Sequence, residues 1–155
     1  MGLMHNNDIR WKQRFENFGR AFKLLRSALE DNEIESYSDL ELEGIIQRFE
    51  YTFELGWKTF KDYLENSGVK LGESTPRNVI KKCALTGIFD EAEIDPQIYI
   101  DMMLSRNMLS HTYDNAQFKK ELVKIKSEYL FELEKGYMFF LKKELDDSDE
   151  LWIEK

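Results

Sequence analysis

The fold is decided by residues 38–68, which read SDLELEGIIQRFEYTFELGWKTFKDYLENSG. Ser38 and Glu41 have the spacing of a capping box, in which each side chain accepts a hydrogen bond from the other residue's backbone N–H. Apolar residues then recur at intervals of three or four, which predicts an α-helix with one buried face: Leu42, Ile46, Phe49, Phe53, Trp57, Phe60 and Leu64. Gly68 supplies the left-handed conformation that ends many helices. The stretch therefore predicts a helix of about seven turns.

The segments on either side carry apolar stripes with the same period. The N-terminal stripe predicts a helix that begins at an N-cap, Asp8, and stops near Asp31; its buried face is Trp11, Phe15, Phe18, Phe22, Leu25 and Leu29. The C-terminal stripe predicts a long helix after a break at Asp114–Asn115, with Phe118, Leu122, Ile125, Tyr129, Leu133, Tyr137 and Phe140 on its buried face. Two shorter helices are indicated where an N-cap precedes proline, at Thr75-Pro76 and Asp95-Pro96.

Together these elements predict an all-α protein, an up-and-down four-helix bundle with an additional short helix. No stretch shows the alternation of β-branched and polar residues that is typical of a strand. A chain of 155 residues is long enough for one domain with a real core, and we place that domain at 8–145. The polar residues 1–7 and the acidic residues 146–155 are expected to be flexible tails.

Composition narrows the classes of function. Cys83 is the only cysteine, which excludes an internal disulfide, and one cysteine with two histidines is too few for a zinc site. We therefore predict neither a metal nor a cofactor. No apolar run approaches the ~20 residues of a membrane span, so no membrane association is expected. A reducing cytoplasm fits this sequence best.

The net charge of −8 argues against a nucleic-acid partner, because contacts to phosphate need cations. The charge is unevenly distributed, however, and two clusters are basic: Arg77, Lys81 and Lys82, and Lys119, Lys120, Lys124 and Lys126. These clusters are either ordinary solvated helix faces or a locally basic site on an acidic protein. The sequence leaves both interpretations open.

Residues 106–113, RNMLSHTY, hold the richest chemistry in the chain. Arg106, His111 and Tyr113 offer a phosphate-binding cation, a group that moves protons and a nucleophilic oxygen. On a helix Arg106 and His111, five residues apart, do not share a face. They converge only if the helix ends near His111 or if a second copy of the chain completes the site. Taken singly, His111 is as well explained as a helix C-cap, and Tyr113 as a packing aromatic.

Arg106 taken alone is also well explained by a surface ion pair with Asp101 or Asp114. By similar reasoning, the spacing of Glu50, Glu54 and Lys58 is first of all that of an exposed charge ladder. Trp57, Phe53 and Phe49 are expected to be core residues and not a platform for stacking bases.

Three segments resemble the small nucleotidyltransferase substrate-binding bundle proteins: QRFEYTFELGWK at 47–58, TPRNVI at 75–80 and RNMLSHTYD at 106–114. They occur in the family's order, and the resemblance covers the chain from about Glu41 to Tyr137. This family is part of the HEPN superfamily and is similar to the HepT toxins, which are encoded beside a minimal nucleotidyltransferase of the MntA type. Gly56 departs from the family pattern, where alanine is common, and is expected to loosen a helix contact.

The resemblance implies two alternative functions. In the first, the chain is a metal-independent HEPN endoribonuclease toxin that acts as a homodimer or higher homo-oligomer on RNA. Arg106 and His111 from both subunits would line the interface, Asn107 would orient the imidazole, and Tyr113 would be the tyrosine that the MntA-type partner modifies with AMP.

In the second function, the bundle is a non-catalytic substrate-binding subunit of the minimal nucleotidyltransferase. The chain lacks the Gly-Ser pair and paired aspartates that the transferase itself would need. Under either function the further candidates for cleft or partner contacts are Glu54, Lys58, Arg77 and Asp114.

Overall fold

A computed structural model describes the backbone of residues 2–153 and the side chains of residues 8–147. In chain order the helices are α1 (Gly2–Glu30), a 3₁₀ turn (Ile34–Ser36), α2 (Asp39–Asn66), α3 (Pro76–Leu85), α4 (Ile88–Ala92), α5 (Pro96–Leu109), α6 (Asn115–Lys124), a π-helical turn (Ile125–Tyr129) and α7 (Leu130–Ile153). No strand occurs between residues 2 and 153. The predicted all-α bundle is therefore confirmed.

The start of α2 has the predicted capping box. Ser38 Oγ accepts a hydrogen bond from the backbone N–H of Glu41 at 3.2 Å, and Glu41 Oε1 accepts from the backbone N–H of Ser38 at 3.0 Å. The side chains of Thr75, Asp95 and Asp114 likewise cap the helices that follow them. These short-range signals place the ends of the helices because each satisfies N–H groups that the helix itself cannot.

Asp8 is not an N-cap, and that prediction was wrong. Helix α1 already begins at Gly2, and the Asp8 carboxylate accepts from Trp11 Nε1 at 3.1 Å and Lys12 Nζ at 3.0 Å. These are side-chain donors within the next turn, and no proline before Asp8 stops the helix from extending toward the N-terminus. The side chains of 1–7 and 148–155, most of both predicted tails, lie outside the described residues, and the domain limits and tail flexibility remain predictions.

The core is aromatic and lies between α1, α2, α5 and α7. Phe60 of α2 stands at its centre, with ring centroids of Phe140 and Phe89 at 4.6 and 5.2 Å. Trp57, Phe53 and Phe49 are buried, as predicted. Helix α1 packs along α2 and also contacts α7, while α2 contacts α3, α5 and α6 on its other sides. Helix α2 is thus the central element of the bundle.

Gly56 is a point of close approach between α1 and α2 and not the loose contact that we expected. A Cβ at this position would lie 3.2 Å from the ring of Phe18, and both residues are buried. The ring of Phe18 fills the space beside Gly56 that a side chain would occupy, so the two helices remain in close contact.

The last helix contains a π-helical turn that the sequence does not predict. Glu121 lies in the last turn of α6, and Tyr129 is the last residue of the π-helical turn. Glu121 Oε2 and the Tyr129 hydroxyl are both within hydrogen-bond distance of Ser105 Oγ, at 2.9 and 3.0 Å. All three residues are buried. This contact fixes α5 at the residue immediately before Arg106.

Candidate functional site

Helix α5 ends inside the RNMLSHTY segment. Leu109 is its last residue and Ser110 its C-cap, and the backbone N–H of His111 donates to the carbonyl of Met108 at 3.1 Å. The first of the two conditions for convergence is therefore met, because the helix ends just before His111. The imidazole and the phenol that follow are carried by a turn and not by a helix face.

Arg106 lies on the last full turn of α5 and crosses to α2. Its Nη2 donates to Glu54 Oε2 at 2.6 Å, and its guanidinium lies over the ring of Phe53 at 5.6 Å from the centroid. The alternative ion pairs with Asp101 and Asp114 do not form, because Asp101 accepts from Gln97 and Asp114 caps α6. The arginine is thus held between a carboxylate and an aromatic face.

The Glu54 carboxylate accepts from donors on two helices, α2 and α5. Besides Arg106, Trp57 Nε1 donates to its Oε2 at 3.1 Å, and Lys58 Nζ lies 3.1 Å from its Oε1. Burial raises the pKa of Glu54, but the hydrogen bonds from Trp57 and Lys58 and the charges of Arg106 and Lys58 outweigh burial and lower it overall. Glu54 is therefore an ionised carboxylate at neutral pH.

A second contact joins the same two helices one turn earlier on α2. Ser110 Oγ lies 3.1 Å from Glu50 Oε2 and 2.9 Å from the carbonyl oxygen of Arg106, and its single O–H is shared between these two acceptors. Glu50 and Glu54 are four residues apart and share a face of α2. The predicted charge ladder is thus also the surface on which the end of α5 rests.

His111, Asn107 and Tyr113 are exposed, and Tyr113 is 94% accessible. Tyr113 is therefore not a packing aromatic, and that alternative is wrong. A cavity of about 270 Å³ lies beside it, lined by residues that include Gln47, Glu50, Ser110 and Thr112. Within residues 8–147 no hydrogen bond joins Asn107 to the imidazole, and the orienting role of Asn107 remains a prediction.

The remaining candidates divide into two groups. Lys58 lies in the site through its ion pair with Glu54. Arg77 is exposed on the first turn of α3, and no described contact brings it to Arg106 or His111. Asp114 has a structural role, because its Oδ1 accepts from the backbone N–H of Ala116 at 3.0 Å.

Sequence reasoning missed Trp57 and Ser110 as members of this site. Trp57 is 6% exposed, as a core residue should be, yet its indole N–H faces Glu54. The available signal was the Glu54-x-x-Trp57 spacing, since residues three apart on a helix are neighbours. Ser110 carried no signal, because its contact with Glu50 depends on how α2 and α5 pack.

Between residues 8 and 147 there is no group of three or more His, Cys, Asp or Glu side chains that could hold a metal ion. Burial raises the pKa of the Cys83 thiol, which lies in α3 away from the contacts described above. Among the described helices, none is both long and apolar enough to cross a membrane.

Comparison with known proteins assigns the family. The sequence profile of the family described as nucleotidyltransferase substrate binding protein like matches residues 13–142. This range contains the whole of α2 and α5 and the turn with His111 and Tyr113. No curated protein matches the chain. Because the profile covers most of the sequence, the chain belongs to the nucleotidyltransferase substrate binding protein like family.

Proposed function

We propose that this chain is a HepT-like HEPN endoribonuclease of a two-gene toxin–antitoxin pair. Its partner would be an MntA-type minimal nucleotidyltransferase, in keeping with the name of the family. The observation that supports the proposal is that Arg106 lies in the last turn of α5 and that His111 and Tyr113 lie on the turn that follows it. Arg106 is anchored and mostly buried, while His111 and Tyr113 are exposed on the turn that follows.

The proposed reaction needs no metal. An imidazole takes the proton from the ribose 2′-hydroxyl, and the 2′-oxygen forms a bond to phosphorus while the bond to the 5′-oxygen breaks. A proton passes to the leaving 5′-oxygen, so the products are a 2′,3′-cyclic phosphate and a 5′-hydroxyl. His111 serves as the base or the acid, and Arg106 stabilises the charge on the phosphorane through its planar donors.

A second copy of the chain would complete the site. Leu104 and Met108 of α5 are 50% and 37% exposed and lie one turn apart, with Met108 inside the RNMLSHTY segment and Leu104 just before it. Apolar side chains in this position favour an interface beside Arg106 and His111. A homodimer through this face would place two motifs in one cleft and supply a base and an acid together.

Tyr113 is proposed as the residue that the partner modifies with AMP. Its hydroxyl is accessible because 94% of the side chain is exposed. An attached nucleotide phosphate would bring negative charge and bulk to the entrance of the site. RNA would then be excluded by repulsion as well as by size.

The second candidate function is a non-catalytic substrate-binding subunit of the nucleotidyltransferase. The ion pair between Arg106 and Glu54 at 2.6 Å favours it, because an arginine whose charge is already balanced by a carboxylate binds a scissile phosphate less well. In this account Arg106, His111 and Tyr113 contact the partner or its substrate and catalyse nothing.

Expression of the chain alone in a bacterial host separates the two functions. Wild type is compared with Arg106→Ala and His111→Ala, while growth and total RNA are followed. The nuclease proposal expects growth arrest and cleaved RNA with wild type only. Equal growth and intact RNA for all three, with each variant folded, would leave the binding subunit as the better account.

A further inference from the structure

The donors around Glu54 form a site in their own right. We name Arg106, Trp57 and Lys58 the anion seat, because all three direct N–H groups at one carboxylate, at distances of 2.6, 3.1 and 3.1 Å. Two of them are cations, and the third is a neutral donor fixed in the core. Such a set of donors is suited to any oxyanion and is not specific for a carboxylate.

The anion seat is rigid at its base and open at its rim. The indole of Trp57 is buried, and the guanidinium of Arg106 is held over Phe53. By contrast, the side chains of Lys58 and Glu54 are 37% and 34% exposed. A ligand from solution can therefore reach the seat, and Glu54 can leave it by rotating toward water.

Glu54 alone neither satisfies every N–H group of these three residues nor balances their positive charge. Arg106 Nε is buried and has no hydrogen-bond partner among the described residues. One carboxylate also balances only one of the two positive charges of Arg106 and Lys58. A phosphate group carries more charge and more acceptor oxygens than a carboxylate, so it balances the two cations better.

We propose that the anion seat binds a phosphate group, and that Glu54 occupies the seat when no phosphate is present. This inference rests on the proposed function, to which it adds Lys58 and Trp57 as phosphate-binding residues. Glu54 then acts as an internal competitor. Because only the fraction of molecules with a vacated seat can bind, the apparent affinity for phosphate is reduced by that fraction.

The test is a binding measurement on the full chain. Inorganic phosphate and a short RNA with a 2′-deoxy substitution against cleavage are titrated into wild type, Glu54→Gln and Glu50→Gln. Glu50 is the matched control, since it lies one turn away on the same face and contacts Ser110, not the seat. Thermal melts establish that each variant is folded.

Removal of the competitor should raise the affinity of Glu54→Gln for inorganic phosphate about tenfold, or ~1.4 kcal/mol. Glu50→Gln should stay within about twofold of wild type, because Glu50 contacts Ser110 and does not touch the bound phosphate. Adding Lys58→Gln to Glu54→Gln should remove most of the gain. If Glu54→Gln does not fold, Lys58→Gln alone should weaken phosphate binding.

An equal gain in Glu50→Gln would overturn the inference, because net charge and not the seat would then explain it. So would a Glu54→Gln variant that folds and binds phosphate no better than wild type. A gain with inorganic phosphate but not with RNA would assign the seat to small phosphates. Phosphate binding without RNA cleavage by wild type would reject the nuclease and keep the seat, whereas cleavage without the gain would reject only the seat.

Discussion

At the scale of single residues, the ion pair between Arg106 and Glu54 governs the chemistry of the site. The availability of Arg106 for a ligand depends on the Glu54 carboxylate that lies 2.6 Å from its Nη2. Since the Glu54 pKa is lowered by its donors, neutral solution keeps the pair intact. His111, by contrast, is exposed on the turn that follows α5 and takes no part in this ion pair.

The lowered pKa of Glu54 predicts a pH-dependent contribution to stability. A carboxyl group whose pKa is lower in the folded state than in the unfolded state stabilises the fold when the pH is above its unfolded-state pKa, which is near the ordinary 4.5. This stabilisation is lost as the pH falls through the folded-state pKa. The difference in the free energy of unfolding between wild type and Glu54→Gln should therefore shrink as the pH is lowered from 7 to below 4. Urea denaturation at several pH values measures it. A difference that grows toward acid would contradict the lowered pKa.

At the scale of the elements, buried hydrogen bonds of Ser105 join α5 to α6 and to the π-helical turn. Glu121 is 3% exposed and accepts from Ser105 Oγ at 2.9 Å and from Gln117 Nε2 at 3.2 Å. Loss of the Ser105 donor leaves the buried Oε2 unsatisfied at a cost in desolvation, because Gln117 and Lys124 contact only Oε1. Since Ser105 directly precedes Arg106, these hydrogen bonds also set the direction of the arginine.

Ser105→Ala is accordingly expected to destabilise the protein by about 1–3 kcal/mol, because it leaves Glu121 and Tyr129 without their shared partner. Urea denaturation measures this change in the free energy of unfolding. Ser127→Ala is the matched control, since Ser127 lies in the π turn, is exposed and donates only to the carbonyl of Val123. It should cost no more than about 0.5 kcal/mol. Equal losses in the free energy of unfolding for both variants would contradict the stabilising role of the Ser105 hydrogen bonds.

The sequence predicted the elements better than their contacts. The stripes on α1, α2 and the last helix and the caps at Ser38 and Thr75 were visible because helix periodicity and capping are local properties. The Arg106–Glu54 pair joins residues 52 positions apart, and its formation depends on how α2 and α5 rotate against each other. The π turn was also invisible, since no residue type marks it.

At the scale of the whole molecule, stability comes from one aromatic core that also carries the site. Helix α2 contributes Phe60 to the centre of that core and Glu54 to the site, less than two turns apart. Any loosening of α2 should therefore change the geometry around Arg106. The bundle is the scaffold that holds the end of α5 in place.

Phe60→Ala is expected to cost about 3–5 kcal/mol, because Phe60 is 1% exposed and contacts the rings of Phe89, Tyr99, Phe139 and Phe140. Leu40→Ala, at a position that is 79% exposed, should change stability by no more than about 0.5 kcal/mol. Chemical denaturation followed by circular dichroism compares the two. A loss below 1 kcal/mol for Phe60→Ala would contradict the position of this ring in the core.

The central claim is that Arg106 and His111 cleave RNA without a metal, and the direct measurement uses purified protein, RNA and excess EDTA. Wild type should cut the RNA and leave 2′,3′-cyclic phosphate ends, while folded His111→Ala should leave the RNA intact. Intact RNA with wild type, or equal cleavage by His111→Ala, would contradict the claim.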